Sequence, residues 1–260
     1  MSNRRATRGS VAPELWVCHL GVVPYPDATS IQERIRARRL AGELPDTLLL
    51  LEHPPVYTRG RRSTDAELPL PEDFYSSRGI QTLPTDRGGR VTYHGPGQLV
   101  GYPIMHVADV HSYLRTMEAA IVGALAGEGI RARARPSEGP DFTGVWVAER
   151  KIASIGVHVS RGVSTHGFAV NVHNDLEPFS WVVACGLPDV VMTSLARELT
   201  EQSTPQPGCA RLLECFRRRA ADSFCRAHSR RQRLVWPSRL GIEAPPARLG
   251  APARGEAVPA

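Results

Sequence analysis

A chain of 260 residues with 42% hydrophobic and 22% charged residues has the composition of an ordinary globular protein, long enough to bury a sizeable core. No apolar run of about 18 residues is present, so no membrane span is expected. Residues 1–13 carry Arg4, Arg5 and Arg8 without an apolar segment behind them, which argues against a secretory signal; the Arg-rich, acid-poor stretch also fits a short organellar transit peptide, the less favoured reading, and a cytoplasmic protein is expected. The formal net charge of +6 suits acidic protein partners; with no aromatics interleaved among the basic residues, neither nucleic acid nor a membrane is the expected partner.

In chain order, residues 14–21 read as a short strand. Residues 27–41 read as a helix, with Ile31, Ile35 and Leu40 inward and arginines outside. Residues 47–51 are wholly apolar, the mark of a strand buried on both faces, and His53-Pro54-Pro55 stops it. Residues 64–79 are polar and proline-marked, a surface excursion. Residues 90–94 and 99–105 read as strands around a Gly-Pro-Gly turn. Residues 109–128 give the clearest helix, capped by Asp109, with Val110, Leu114, Met117, Ile121, Ala124 and Leu125 as its buried stripe.

Further along, residues 143–147 and 152–160 flank a turn and read as a β-hairpin, with Ile155, Val157 and Val159 alternating toward one face. Residues 167–172 read as another strand. Residues 207–228 read as a final helix with Leu212, Leu213, Phe216, Ala220 and Phe224 inward. The expected organisation is a flexible N-terminus over 1–12, one catalytic domain over 13–230, and a disordered Pro/Ala/Arg-rich tail over 231–260. Strands dominate the middle and helices are scattered. This points to an α+β domain with a mostly antiparallel or mixed β-sheet flanked by helices.

The cysteines, Cys18, Cys185, Cys209, Cys215 and Cys225, are odd in number and form no Cys-x-x-Cys pair. A disulfide framework or zinc ribbon is not expected, and most of these thiols read as small apolar fillers. Lys and Arg total 32, yet Lys151 is the only lysine among them. Arginine stays protonated in proteins, whereas a buried lysine can lose its proton, so a lone lysine points to a site that needs a titratable amine; a stray surface lysine is the plainer alternative.

Four segments can carry chemistry. Arg87-Gly88-Gly89-Arg90-Val91-Thr92-Tyr93-His94-Gly95-Pro96-Gly97-Gln98 lets a ligand approach the backbone and offers cationic and imidazole groups, though a Gly-rich hairpin explains it equally well. It lacks the spacing of a nucleotide-binding loop. Lys151-Ile152-Ala153-Ser154-Ile155-Gly156 places the lysine at the start of a strand, where desolvation would make it a general base. His166-Gly167-Phe168-Ala169 combines a histidine, which reads as core or support, with a second close backbone approach. Cys185-Gly186 ends an apolar run and reads either as a buried filler or as a nucleophile presented at a turn.

Taken together, these segments resemble the lipoyl(octanoyl) transferase family over roughly residues 15–199. The resemblance rests on the Arg87–Gln98 signature, Glu52-His53-Pro54-Pro55-Val56-Tyr57-Thr58, Lys151-Ile152-Ala153, His166-Gly167, Asp175-Leu176 with Pro178-Phe179, and Cys185-Gly186. Ala184 stands before the cysteine where the family pattern leads us to expect proline. The resemblance implies the fold of biotin and lipoate protein ligases. It implies that Cys185 takes an octanoyl group from octanoyl acyl carrier protein as a thioester and passes it to a lysine of a lipoyl domain. Such domains belong to 2-oxoacid dehydrogenases and the glycine cleavage H protein. Lys151 would deprotonate Cys185 and shuttle protons. Arg87, Gly88, Gly89, Arg90, Val91, Thr92, Tyr93, His94, Ser154, Ile155, Gly156, Gly167, Phe168 and Ala169 would line the acyl pocket, with His166 in support. No ATP and no metal would be needed. The alternatives are an ATP-dependent lipoate or biotin ligase, which needs a lysine but no cysteine, and a non-catalytic module that binds an acyl carrier.

Overall fold

The computed structural model describes residues 12–202 and 211–243. The first half contains β1 (Glu14–Val22), α1 (Tyr25–Leu40), β2 (Thr47–Glu52), β3 (Val56–Arg59), α2 (Glu72–Ser76), β4 (Gln81–Pro84), β5 (Val91–His94) and β6 (Gln98–Ile104). The second contains α3 (Val110–Ala126), β7 (Gly144–Val147), β8 (Arg150–Ser160), β9 (Val163–Asn171), β10 (Val191–Met192), α4 (Leu195–Glu201), α5 (Leu212–Ala227) and β11 (Arg231–Leu234).

Eight strands form the main sheet in the order β10-β8-β9-β6-β2-β1-β11, with β7 paired to β8 outside that path. The centre, β2 to β6 to β9 to β8, is antiparallel, while β1 joins β2 and β11 in parallel. β4, β3 and β5 form a separate three-stranded sheet. The architecture is α+β with a mixed sheet flanked by helices, as the pattern of elements indicated.

β2 shows why an uninterrupted apolar run was needed. Leu48 and Leu50 pack into the core beneath α3 and α5, whereas Leu49 and Leu51 pack into the core beneath α1. All four are essentially inaccessible to solvent, each burial contributing about 2 kcal/mol. The smaller sheet has its own core, in which Tyr57, Tyr75, Val91, Tyr93 and Phe179 meet.

Several expectations are corrected. Leu40 and Val110 are exposed and Leu114 is only half-buried, so α1 loses one expected core residue and α3 two. On α3, Met117, Ile121, Ala124 and Leu125 are buried as read, but Glu118 is buried with them. Asp109 does cap the helix, accepting from Ser112 N at 2.6 Å. The excursion over 64–79 holds α2 and buries Glu67 and Tyr75 beneath the smaller sheet.

The tail expected from residue 231 is ordered through residue 243. β11 bonds to β1 through its backbone, Arg231 and Arg233 pair with Glu14 of β1, and the Arg233 and Arg239 guanidinium groups lie 5.6 Å and 5.4 Å from the Trp16 ring centroid. Leu240 and Ile242 then join the α1 side of the core. Residues 244–260, 1–11 and 203–210 lie outside the described residues, and with them Cys209 and the expected start of the last helix. Cys18, Cys185 and Cys225 are free, with Cys18 and Cys225 buried, while Cys215 is disulfide-bonded.

Candidate active site

A cleft of about 590 Å³ opens between the main sheet, the smaller sheet and the start of α1. Its wall on the main sheet comes from paired strands. Gly156 faces Gly167, Ile155 faces Phe168, and Ser154 faces Ala169 across β8 and β9. Small residues at four of these six positions leave the backbone accessible from the cleft.

Strand alternation decides which members of the Arg87–His94 segment reach the cleft. Arg87, Gly89, Arg90, Thr92 and His94 line it. Val91 and Tyr93 point the other way and are buried in the core of the smaller sheet. Gly88 is tied to the main sheet instead, donating from N to Val157 O at 2.9 Å. The expectation that Gly88, Val91 and Tyr93 line the pocket is therefore corrected: a strand turns alternate side chains to opposite faces, and a signature read as one block ignores that.

Cys185 lies in a tight turn spanning Ala184–Gly186 and adopts φ 59°, ψ 15°, a left-handed conformation costly for a side chain with a Cβ. Gly186 follows at φ +72° and leaves no room for a Cβ, because the Arg90 side chain fills that space. The turn forms with Ala184 in place of the expected proline; Ala184 N donates to Val182 O at 3.1 Å, a bond proline could not make. The Cys185 sulfur faces Ser154 Oγ at 3.7 Å.

Lys151 lines the same cleft and is 1% exposed. Its ammonium lies 5.3 Å from the Trp146 ring centroid and makes no hydrogen bond with any described residue. Gly144, at φ +141°, runs directly against the Lys151 stem.

Arg87 is buried and donates to Thr58 O and Oγ1, both at 2.7 Å, to Arg90 O at 2.7 Å and to Gly88 O at 3.0 Å. None of these acceptors is a carboxylate. Burial pushes its guanidinium below the usual range, and the anionic forms of Tyr25 and Cys185 pull it back. Arg87 is thus a buried cation with no carboxylate bonded to it among the described residues, in the cleft that Cys185 also lines. Arg90, by contrast, is neutralised by Glu67 at 2.7 Å.

His94 is fixed by a relay of amides. Asn171 Nδ2 donates to Thr193 O at 3.0 Å, and Gln98 Nε2 donates to Tyr93 O at 3.2 Å and Asn171 Oδ1 at 2.9 Å. Backbone carbonyls only accept, so both amides are oriented. His94 Nδ1 must therefore donate to Gln98 Oε1, at 2.7 Å. Burial, then nearby His53, holds this imidazole well below its usual range, leaving it neutral with Nε2 unprotonated. His166, at φ 57°, also lines the cleft and is bonded through Nε2 to Asp86 Oδ1 at 2.7 Å.

Sequence reasoning missed Tyr25, Arg62, Tyr102, Pro140, Asp141 and Thr143, which also line the cleft. Tyr102 lies in a strand read correctly, whereas Tyr25 opens α1 two residues before the start read for that helix, and nothing in their local pattern marks either. Among the described residues no cluster of His, Cys, Asp and Glu could hold a metal ion, and no helix is long and apolar enough to cross a membrane.

Comparison with known proteins bears on the family and the fold. Residues 24–217 match the Lipoyl protein ligase A/B catalytic domain, which defines the class of protein. Lipoate-protein ligase A bound with ATP superposes with a TM-score of 0.62 at 18% identity, covering 86% of this chain and 89% of that one. A putative lipoate protein ligase from T. acidophilum with bound lipoic acid gives 0.63 at 19% identity, covering 86% and 89%. At such identities the likeness concerns the fold.

The sequence relatives are nearer. The chain is 49% identical over 183 residues to the octanoyltransferase of Rubrobacter xylanophilus, covering 69% of this chain and 81% of that protein. It is 50% identical over 181 residues to that of Solibacter usitatus, covering 68% and 80%. The chain belongs to the octanoyltransferase family, a family of acyltransferases.

Proposed function

We propose that this protein transfers an octanoyl group from octanoyl acyl carrier protein to a specific lysine of a lipoyl domain, through a thioester on Cys185. The observation that carries the reading is that Cys185 and Lys151, the chain's only lysine, line one cleft. Family membership supplies the acyl group and the reaction class. Lipoyl domains as acceptors also have a parallel in the solved lipoate protein ligase described with its E2 lipoyl domain.

Lys151 first takes the proton of the Cys185 thiol, leaving a thiolate and an ammonium in the same cleft. The thiolate forms a bond to the carbonyl carbon of the donor thioester, and the carbon–sulfur bond to the carrier breaks. The departing carrier thiolate takes a proton from Lys151. A neutral acceptor amine then attacks the Cys185 thioester. The carbon–nitrogen bond forms, the carbon–Sγ bond breaks, and the surplus amine proton returns to Lys151, restoring thiolate and ammonium. The donor thioester is already activated, so no ATP and no metal enter this scheme. The guanidinium of Arg87 and the Ser154 hydroxyl support the anionic sulfur, and Gly156, Gly167 and Ala169 leave space for the acyl chain.

The test is intact mass after mixing the protein with octanoyl acyl carrier protein in the absence of ATP. A gain of one octanoyl group, absent in Cys185→Ala and discharged by a lipoyl domain, supports the reading. No adduct on folded protein, with transfer appearing only when ATP and free octanoate are supplied, would establish the ligase reaction instead.

A further inference from the structure

Glu118 breaks the pattern of its helix. It lies on the buried face of α3 among Met117, Ile121 and Ala124 and is 1% exposed. Burying a carboxylate is costly unless it is paired and hydrogen-bonded, and a leucine would satisfy the helix without that need. Its Oε1 accepts from Gly144 N at 2.9 Å. Its Oε2 lies 2.8 Å from Arg115 Nη1, but neither atom completes a hydrogen bond.

Gly144 links this carboxylate to the cleft. A Cβ built on Gly144 would stand 2.9 Å from Lys151 Cε, so the backbone segment that Glu118 holds is the one the Lys151 stem packs against. The two charges also act on each other. Burial pushes the Glu118 carboxyl up, and the Gly144 amide, Arg115 and Lys151 pull it back.

We propose that Glu118 is a positioning residue of the transfer site: its carboxylate fixes the Gly144 backbone against the Lys151 stem and acts through its charge on the amine in the cleft that Lys151 shares with Cys185. The proposal rests on the Cys185–Lys151 reading above. Other charges lining the cleft are engaged elsewhere. Arg62 pairs with Asp141 at 2.8 Å, Arg90 with Glu67 and Asp141, and Arg87 with carbonyls. Glu118 is thus the buried carboxylate that the geometry links, through Gly144, to Lys151.

Because the chain has one lysine, protein grown on lysine labelled with ¹³C at Cε gives a single lysine signal, and its titration reports Lys151 directly. Glu118→Gln keeps an acceptor for the Gly144 amide and removes the charge. The Lys151 midpoint is expected to fall by about one pH unit, and the alkaline limb of the transfer rate to move with it. Arg115→Gln removes a competing cation and is expected to shift the midpoint upward by a smaller amount. A midpoint unmoved by Glu118→Gln overturns the proposal. If that variant does not fold, Arg115→Gln decides: a rise supports the coupling and no movement overturns it. The acyl adduct on wild-type Cys185 is scored in parallel. A moved midpoint with no adduct retains the coupling and defeats the thioester reading, whereas an adduct with an unmoved midpoint defeats only the role of Glu118.

Discussion

Ser154 Oγ and Cys185 Sγ stand 3.7 Å apart, 31 residues distant in sequence, and the contact spans the mouth between the main sheet and the turn that carries the cysteine. Ser154 is paired across the sheet with Ala169, which has no side chain long enough to compete for the sulfur. The hydroxyl is therefore placed to donate to an anionic sulfur.

Ser154→Ala is expected to slow octanoyl transfer roughly five- to tenfold, the worth of about 1 kcal/mol for one hydrogen bond, while leaving the unfolding midpoint nearly unchanged. Single-turnover acylation by octanoyl acyl carrier protein measures it. A rate equal to wild type would remove Ser154 from the site.

The free thiols should differ in reactivity. Burial pushes Cys18 up to about 12 and Cys225 up to about 11, and both are inaccessible, whereas Cys185 is partly open at the cleft. Since the thiolate reacts and the thiol does not, brief treatment with iodoacetamide near pH 8 should modify Cys185 well before Cys18 or Cys225. Peptide mapping reads the order, and early label on Cys18 would contradict the packing of β1.

Arg87 spans Thr58, Gly88 and Arg90 with one guanidinium. Arg87→Met leaves buried carbonyls without donors and is expected to cost about 2–4 kcal/mol in urea unfolding. Arg87→Lys should recover little of this, because an ammonium cannot reproduce the planar fork. Full recovery by lysine would show that charge alone matters there.

Asp86 joins His166 and His158, and the hydrogen bond from His166 holds its carboxyl down at about 2. A depressed carboxylate stabilises the folded state above its unfolded value near 4, and that contribution is lost as pH falls through about 2. The group is half exposed, so screening limits the effect to about 1 kcal/mol or less. The stability gap between wild type and Asp86→Asn should therefore narrow as pH falls from about 4 to 2, measured as urea midpoints. A gap constant across that window would mean the contact contributes no linkage.

Much of the molecule was legible because periodicity and backbone chemistry are local. The apolar run of β2 announced burial on both faces, and Asp109 marked the start of α3. Short strands carried too little pattern to be read: β3 has four residues directly after two prolines, and β10 has two. β11 hid in a basic, proline-rich stretch because a parallel edge strand is held by backbone bonds and stacked arginine stems, not by apolar alternation.

The sequence by itself determined the family and the class of fold, since residue identity and order encode both, and it offered Cys185 and Lys151 as candidate reacting groups. Only the tertiary structure decided which neighbours share the cleft. It turned Val91 and Tyr93 away, brought in Tyr25 and Tyr102 from distant elements, and placed Glu118 behind Gly144. The physical reason is that orientation on a strand or helix face depends on what packs against it. A carboxylate in an apolar stripe looks like an interruption until the amide that accepts its burial comes from another part of the chain.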